Sequence, residues 1–496
     1  VITWLLYLLA TTALVVAWWL PGSIECAALG WTSVALFVAA LQVPQGRMKR
    51  SFVAGILTYI GGFYWLYGTI SDFGGFPTVA ALAIFALFAV GSAVQFAIWG
   101  FTWGRLPQWA TRLGLRTALA WLVAHHFWIK IFPWDFGHTQ IGFTPFALIA
   151  DTVGVTGITF IMMWVAECFV CRRSVSLAAR AASFVALVAA LGHGVYAEQM
   201  FTQNSEGIAL NTVMIQGNIS LRRKHDQTSF SINREQYVKT SSLVADKDTL
   251  VIWPESTITN FLPDNLQQAS ESDLLPFFNN GSAFLVGALT YRSRQEFFNS
   301  SILIRPDGSV APPYHKMILM PFGEYTPLSS LFPWMAEINA TAAQFTPGRE
   351  PSVLSFPLSS GTEVHVSPLI CYEDVVPTMA QDATLRGAQL LVNQTNDAWF
   401  GDSVAPYQHH MIASFRAIEN RRYLLRSTNT GLTAVVDPLG RTAASLLPFT
   451  EGVLPLEVML ISSLTPYCRF PVQLVWLLLS AGVVLLVTFP LRQTRQ

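Results

Sequence analysis

Glu255, Lys316 and Cys371 are ionisable residues that stand where apolar runs stop. The run Thr249-Leu250-Val251-Ile252-Trp253 ends at Pro254-Glu255, and Val366-Ser367-Pro368-Leu369-Ile370 ends at Cys371-Tyr372-Glu373-Asp374. Lys316 follows Tyr314-His315 and precedes a stretch that closes on Pro321-Phe322-Gly323-Glu324-Tyr325. Open α/β sheets collect reactive side chains at their strand ends. A thiol needs a base to become a nucleophile, and a carbonyl under attack needs a donor for its developing oxyanion. A Glu, a Lys and a Cys can supply those parts between them. The ordinary carboxyl and thiol pKa values, about 4.3 and about 8.5, are separated by about 5.7 kcal/mol, so the pair works only in a site that narrows the gap. A nearby ammonium does this by favouring the thiolate and then the oxyanion. A free cysteine is also often a small core residue, and strand-end charges are often satisfied by their neighbours. Residue type alone leaves both readings open.

The elements that must position these residues lie in 198–467, a segment long and polar enough to form a water-soluble domain. Short β-rich runs at 212–216, 249–253, 283–288, 301–304, 363–370, 390–392, 423–426 and 433–436 alternate with helix-like stretches at 233–245, 378–386 and 406–420. That alternation predicts an α/β layered domain with a mixed sheet. Pro306-Asp307-Gly308 and Asp437-Pro438-Leu439-Gly440 mark turns between strands.

The rest of the chain is apolar. Of 496 residues 52% are hydrophobic and 12% charged, where a soluble protein carries about a quarter charged. Apolar runs near the length of a bilayer span, roughly 20 residues, cover 1–20, 26–43, 52–70, 78–103, 117–134, 145–170, 177–196 and 471–491. This predicts about eight transmembrane helices, 1–197 holding about seven and 468–496 the last with a short tail. The first run lacks a small-residue cleavage site and reads as a membrane anchor rather than a removed signal peptide, although the sequence opens on Val1 and earlier residues are not excluded. Basic residues fall in alternate loops: Arg47, Lys49 and Arg50; Arg105, Arg112 and Arg116; Arg172, Arg173 and Arg180; Arg492 and Arg495. The loops 71–77 and 135–144 contain no Lys or Arg. The positive-inside rule then puts both termini in the cytoplasm and 198–467 outside.

Other features carry less. Lys+Arg 30 balances Asp+Glu 30, so no net field draws nucleic acid. Cys26, Cys168, Cys171 and Cys468 lie in or beside apolar segments and imply no disulfide framework. Cys168 and Cys171 form C-x-x-C at the end of a span, a poor place for a redox or zinc site. His409-His410 lacks the spacing of a metal motif and reads as a helix face in the polar domain. No metal and no glycine-rich phosphate loop is expected, hence no cofactor. His125, His126, Asp151 and His193 lie in or near spans, where ionisable groups often mark function, but interhelical bonding explains them equally well.

The catalytic candidates fall into an ordered set of motifs. Trp253-Pro254-Glu255, Lys316 ahead of Pro321-Phe322-Gly323-Glu324-Tyr325, Cys371-Tyr372-Glu373 and the run from Asn393 to Gly401 together resemble the nitrilase (carbon-nitrogen hydrolase) superfamily. Flanked by apolar segments, the whole layout resembles the apolipoprotein N-acyltransferase family across essentially the entire chain. The resemblance implies an α-β-β-α sandwich. It makes Glu255 the general base, Cys371 the nucleophile and Lys316 the stabiliser of the tetrahedral intermediate. Glu324, Tyr372 and Glu373 align with residues placed around the triad, and Trp399 with the route for acyl chain or acceptor; packing and scaffold hydrogen bonds explain these positions as well. One departure is that Met317-Ile318-Leu319-Met320 replaces a stretch that is more polar in relatives.

By the same resemblance the chain takes a fatty acyl group from a phospholipid onto Cys371. It then passes that group to the α-amino group of a diacylglyceryl-cysteine apolipoprotein, acting as a monomer at the periplasmic face of a bacterial inner membrane. The loop 328–343, with Leu331, Phe332, Trp334, Met335 and Ile338, is apolar for an outside domain and reads either as a lid dipping toward lipid, with Trp334 and Met335 as lid residues, or as a locally packed loop. Two rival readings are a membrane-tethered amidase with the same triad, and a transporter or receptor whose outer domain only binds ligand.

Overall fold

The computed structural model describes residues 2–203, 207–321, 323–326 and 344–489. The chain divides into two compact units. One is helical and comprises Val1–Asn204, Ser403–Glu419 and Thr465–Gln496; the other comprises Ser205–Asp402 and Asn420–Leu464. This division departs from the expected 198–467 block at Ser403–Glu419. The helix Ala405–Asn420 does carry His409 and His410, but it groups with the apolar helices.

Among the described residues, five helices are long and apolar enough to cross a membrane: Ile2–Trp19, Ile24–Leu41, Thr78–Arg105, Ala150–Val170 and Leu177–Gln203. A bent pair, Arg47–Gly62 with Leu66–Asp72, turns by 69°, and Val472–Thr488 is a shorter apolar helix. The expected span 117–134 is a helix only over Arg116–His126, 11 residues. Its residues from Thr117 to Ala124 are all buried, as befits an apolar helix of this length packed within a protein. Pro133 cannot continue it, and His126 Nδ1 turns back to Leu122 O at 3.0 Å.

Helix Ala405–Asn420 is held in this unit by Gln408. Its amide nitrogen donates to Trp18 O and Gly62 O, each at 3.0 Å, and its oxygen accepts from Trp65 Nε1 at 3.0 Å. These carbonyls belong to the last turns of helices, where the backbone lacks an internal partner.

The second unit contains two sheets. The first is built from β1 (Ile208–Gln216), β2 (Thr249–Ile252), β3 (Ile258–Pro263), β4 (Ala283–Ser293), β5 (Glu296–Ile304) and β6 (Tyr314–His315). The second takes β7 (Leu354–Pro357), β8 (Glu363–Ile370), β9 (Leu390–Thr395), β10 (Leu424–Thr428), β11 (Ala434–Val436) and β12 (Thr442–Ser445), while β13 (Gly452–Leu460) returns to the first. The orders are β13-β1-β2-β4-β5-β6, with β3 also on β4, and β12-β11-β10-β9-β8-β7. β1-β2-β4 and β8-β9-β10 are parallel.

Side chains on a strand alternate between faces, and β2 shows what that does here. Leu250 and Ile252 enter a core shared by both sheets with Met214, Leu285, Val366, Val392 and Leu425. Val251 and Trp253 enter a second core on the other face, where Tyr237 of the helix Phe230–Val244 packs. Both faces of the strand are covered, hence its unbroken apolar run. The sheets are also tied by a polar link: Gln394 Nε2 of β9 donates to Trp253 O at 2.6 Å and Leu285 O at 3.2 Å.

Gly287 in β4 lets the turn after β2 lie close. A Cβ there would stand 2.1 Å from Pro254 O and 2.8 Å from Glu255 Cα. Gly287→Ala must push that turn aside. Overpacking of this kind costs about 1–3 kcal/mol, and a shift near 1 Å at a reacting group costs about 100-fold in rate. A lower melting temperature together with a comparable loss of acyl transfer is the expected result, checked by thermal unfolding and assay of the purified variant.

Candidate active site

Cys371, Glu255 and Lys316 each follow a strand, β8, β2 and β6 respectively; the first two strands fall on β-rich runs of the sequence, and β6 does not. Cys371 comes directly after β8 with φ +52°, a left-handed conformation rare for a side-chain-bearing residue and typical of sites whose surroundings impose it. Asn393 of β9 helps to impose it, donating to Leu369 O at 3.1 Å and Cys371 O at 3.0 Å. Glu255 sits in the turn after β2, followed by Ser256 at φ +48°. Lys316 follows β6, its backbone N donating to Asn299 O of β5 at 2.8 Å.

The side chains meet. Lys316 Nζ lies 3.3 Å from Glu255 Oε1 and 2.8 Å from Glu324 Oε2, and only 1% of the lysine side chain is exposed. Asn299 Nδ2 donates to Glu255 Oε1 at 2.8 Å and to Glu324 Oε1 at 2.9 Å, so one amide spans both carboxylates. Met320 N adds a bond to Glu324 Oε2 at 2.8 Å. Burial works against the Lys316 charge, but Glu324 and then Glu255 outweigh it and hold its pKa well above the ordinary value.

Cys371 is half-buried. Burial and the Glu255 charge push its thiol well up, while Lys316 and a hydrogen bond with Thr395 pull it down. The sulfur thus lies in the field of both a carboxylate and an ammonium, which act on its charge in opposite senses.

Glu373 has a different place from the triad. It is fully buried and accepts four hydrogen bonds: Tyr314 Oη at 2.8 Å, Ile370 N at 2.7 Å, Met317 N at 2.6 Å and Ile318 N at 3.2 Å. One carboxylate thus clamps the residue before Cys371 to the segment that follows Lys316. Burial pushes its pKa up to about 7, with those bonds and Lys316 opposing. A raised carboxyl pKa makes this one group's contribution to stability greatest below pH 4.5 and smaller as pH rises toward 7. The shift corresponds to on the order of 3 kcal/mol. The melting-temperature difference between wild type and Glu373→Gln is expected to move against wild type from pH 4.5 to 7 and to level off above about pH 8.

Tyr372 is half-buried beside the thiol, and burial pushes its phenol up. Trp399 stands on the turn Asp397–Phe400 just past β9, which runs parallel to β8, so it lies at the same sheet end as Cys371 with 38% of its surface exposed. The lid candidates Trp334 and Met335 lie outside the described residues. Among the described residues no cluster of His, Cys, Asp and Glu could hold a metal ion.

Three contributors were not found from sequence. Asn299 sits in the polar interruption Asn299-Ser300-Ser301 between Phe297-Phe298 and Ile302-Leu303-Ile304, a signal that the sequence does carry. Lys224 donates from a buried position to Glu255 O at 2.8 Å but follows Arg222-Arg223 and looks like one more surface cation. Arg426 of β10, fully buried, pairs with Asp374 three positions after the cysteine.

The carbon-nitrogen hydrolase family model matches residues 214–462, the unit of two sheets whose turns carry Glu255, Lys316 and Cys371, so this is a domain of the carbon-nitrogen hydrolase class. A model of the apolipoprotein N-acyltransferase N-terminal domain matches residues 3–168. An apolipoprotein N-acyltransferase of Pseudomonas aeruginosa is 30% identical over 481 residues, covering 93% of this chain and 91% of that one. Another from Geobacter metallireducens is 29% identical over 474 residues, covering 92% and 90%. Among solved structures, an amidase from Nesterenkonia sp. aligns at 20% identity with a TM-score of 0.37, covering 54% of this chain and 96% of that one. The chain belongs to the apolipoprotein N-acyltransferase family.

Proposed function

We propose that this chain N-acylates apolipoproteins, moving a fatty acyl group from a phospholipid to the α-amino group of a diacylglyceryl-cysteine through a thioester on Cys371. The observation that carries the mechanism is Lys316 Nζ bound between the Glu255 and Glu324 carboxylates with the Cys371 sulfur in the same field. Glu255 takes the thiol proton as sulfur attacks the ester carbonyl, and Lys316 opposes the charge growing on oxygen. The intermediate collapses, the C–O bond breaks, and lysophospholipid leaves with the proton from Glu255. The free amine then attacks the thioester and gives its proton to Glu255. Breaking the C–S bond yields the amide, and the thiolate recovers its proton. Glu324 holds Lys316 in place, Tyr372 flanks the nucleophile, and Trp399 borders the path of the acyl chain or acceptor.

The helical unit supports transfer over hydrolysis. Each buried CH₂ of an acyl chain is worth roughly 0.8 kcal/mol, so the donor reacts most readily where its tail remains in lipid. We take this unit to cross a bacterial inner membrane about eight times, with both termini cytoplasmic and the catalytic unit periplasmic; the placement of the basic loops supports this. The helix Arg116–His126, 11 residues, is too short to cross alone; the irregular backbone that follows it is of the kind tolerated at membrane depth where protein surrounds it.

The test is an assay of the full chain in detergent with phospholipid and a synthetic diacylglyceryl-cysteine peptide. Amide-linked acyl peptide and lysophospholipid in equal amounts are expected. Release of free fatty acid alone, at the same rate with or without peptide, would instead establish a tethered hydrolase.

A further inference from the structure

We propose that Lys224 is a second positive charge of this active site, a positioning residue that holds the Glu255 turn by its carbonyl oxygen and favours the Cys371 thiolate. The proposal rests on the reading of Cys371 as nucleophile and of Glu255 as its base. Lys224 lies on the short helix Leu221–His225, whose entry is fixed by Ser220 Oγ accepting from Arg223 N. Its side chain is buried, and Nζ donates to Glu255 O at 2.8 Å. Among the described residues this ammonium has no carboxylate partner, in contrast to Lys316 with its two.

A buried ammonium without a counter-ion is expensive, and a turn can be braced by a neutral donor. The charge has a use if negative charge moves onto the Cys371 sulfur during turnover. The groups that face Lys224 are Glu255, in the turn after β2, and Cys371, after β8; behind Glu255 stand Lys316 and Glu324. With both carboxylates charged, Lys316 and Lys224 balance them. When the Cys371 proton passes to Glu255, the thiolate then forms in a site that remains neutral. Without Lys224 the same transfer takes place in a site carrying an excess negative charge, which disfavours the thiolate and the oxyanion that follows. Burial pushes Lys224 down to about 8 while Glu255 and Cys371 hold it up. The charge is therefore present at neutral pH and is lost above about pH 8.

The test measures iodoacetamide alkylation of Cys371 in the detergent-solubilised full chain, read by peptide mass spectrometry between pH 7 and pH 9.5, for wild type, Lys224→Met and Lys224→Arg. Lys224→Met is expected to slow alkylation at pH 7 about tenfold, the effect of one pKa unit, and Lys224→Arg to stay within about twofold of wild type. Arginine keeps its charge throughout, so the wild-type rate relative to Lys224→Arg is expected to fall as pH rises past 8. Melting temperatures show which variants fold. A folded Lys224→Met with the wild-type alkylation rate overturns the proposal. If Lys224→Met does not fold, a wild-type to Lys224→Arg ratio that is constant with pH overturns it. Alkylation needs no lipid, so the result stands even if the acyltransferase reading fails, and absence of acyl transfer by wild type would sink that reading without touching this one.

Discussion

Cys371→Ala will abolish both lysophospholipid release and N-acylation, a loss on the order of 10⁴-fold or more, because no other group can form the thioester. The fold is expected to survive, since the thiol is half-buried and its loop is held by groups that the change leaves in place. Glu373 still accepts from Ile370 N, and Asn393 still bonds Leu369 O and the backbone oxygen at position 371. Cys371→Ser tests nucleophilicity more finely. It keeps a hydroxyl beside Glu255 and Lys316, but an alcohol is far less acidic than a thiol, so transfer is expected to remain close to the alanine level. Purified variants assayed with phospholipid and diacylglyceryl peptide, with circular dichroism and melting curves in parallel, separate loss of chemistry from loss of structure. A Cys371→Ala protein that transfers at the wild-type rate would remove the thioester from the scheme.

Lys316→Met is expected to have the second-largest effect, and on two properties at once. The lysine is buried against Glu255 and Glu324, at 3.3 Å and 2.8 Å. Removing it leaves two carboxylates facing one another with only the Asn299 amide between them. Breaking a buried pair from one side costs about 3–5 kcal/mol, so the melting temperature will fall. Loss of the oxyanion partner adds about 100- to 1000-fold in rate. The two effects are separable: Lys316→Met combined with Glu324→Gln removes one of the stranded charges and is expected to recover stability but not activity. Recovery of activity in the double variant would mean that Lys316 acts only as a structural counter-ion.

What the sequence revealed of this site, and what it concealed, has a consistent physical basis. Glu255 and Cys371 were legible because a buried strand must be apolar on both faces, so a charged or reactive residue at its end marks where the sheet gives way to a turn. Lys316 was legible through the motif that carries Glu324. Asn299 was not, because its role depends on pairing that the sequence does not state: β5 sits between β4 and β6, and this places Asn299 beside a residue 44 positions earlier and another 25 later. Lys224 was hidden within a basic run. Glu373 was foreseen as a neighbour of the triad, but its four donors, from Tyr314, Met317, Ile318 and Ile370, appear only once two loops are folded together.

Five of the expected spans were legible by length, whereas 52–70 falls on a pair of helices bent by 69° and 471–491 on the shorter helix Val472–Thr488. The stretch 117–134 has the composition of a span, but only Arg116–His126 is helical, since composition does not reveal where a proline and a polar cluster will turn the chain. Helix Ala405–Asn420 has the polarity of a water-soluble element, yet it groups with the helical unit through Gln408, whose partners Trp18, Gly62 and Trp65 lie more than 340 residues earlier in the chain.

The most direct measurement is the intact mass of the purified chain after incubation with phospholipid and no acceptor. One added fatty acyl group is expected, mapped to Cys371, released by hydroxylamine, and discharged as an amide when diacylglyceryl peptide is supplied. An unmodified protein that nevertheless converts peptide to N-acyl peptide, or an acyl group carried on any residue other than Cys371, would contradict the account.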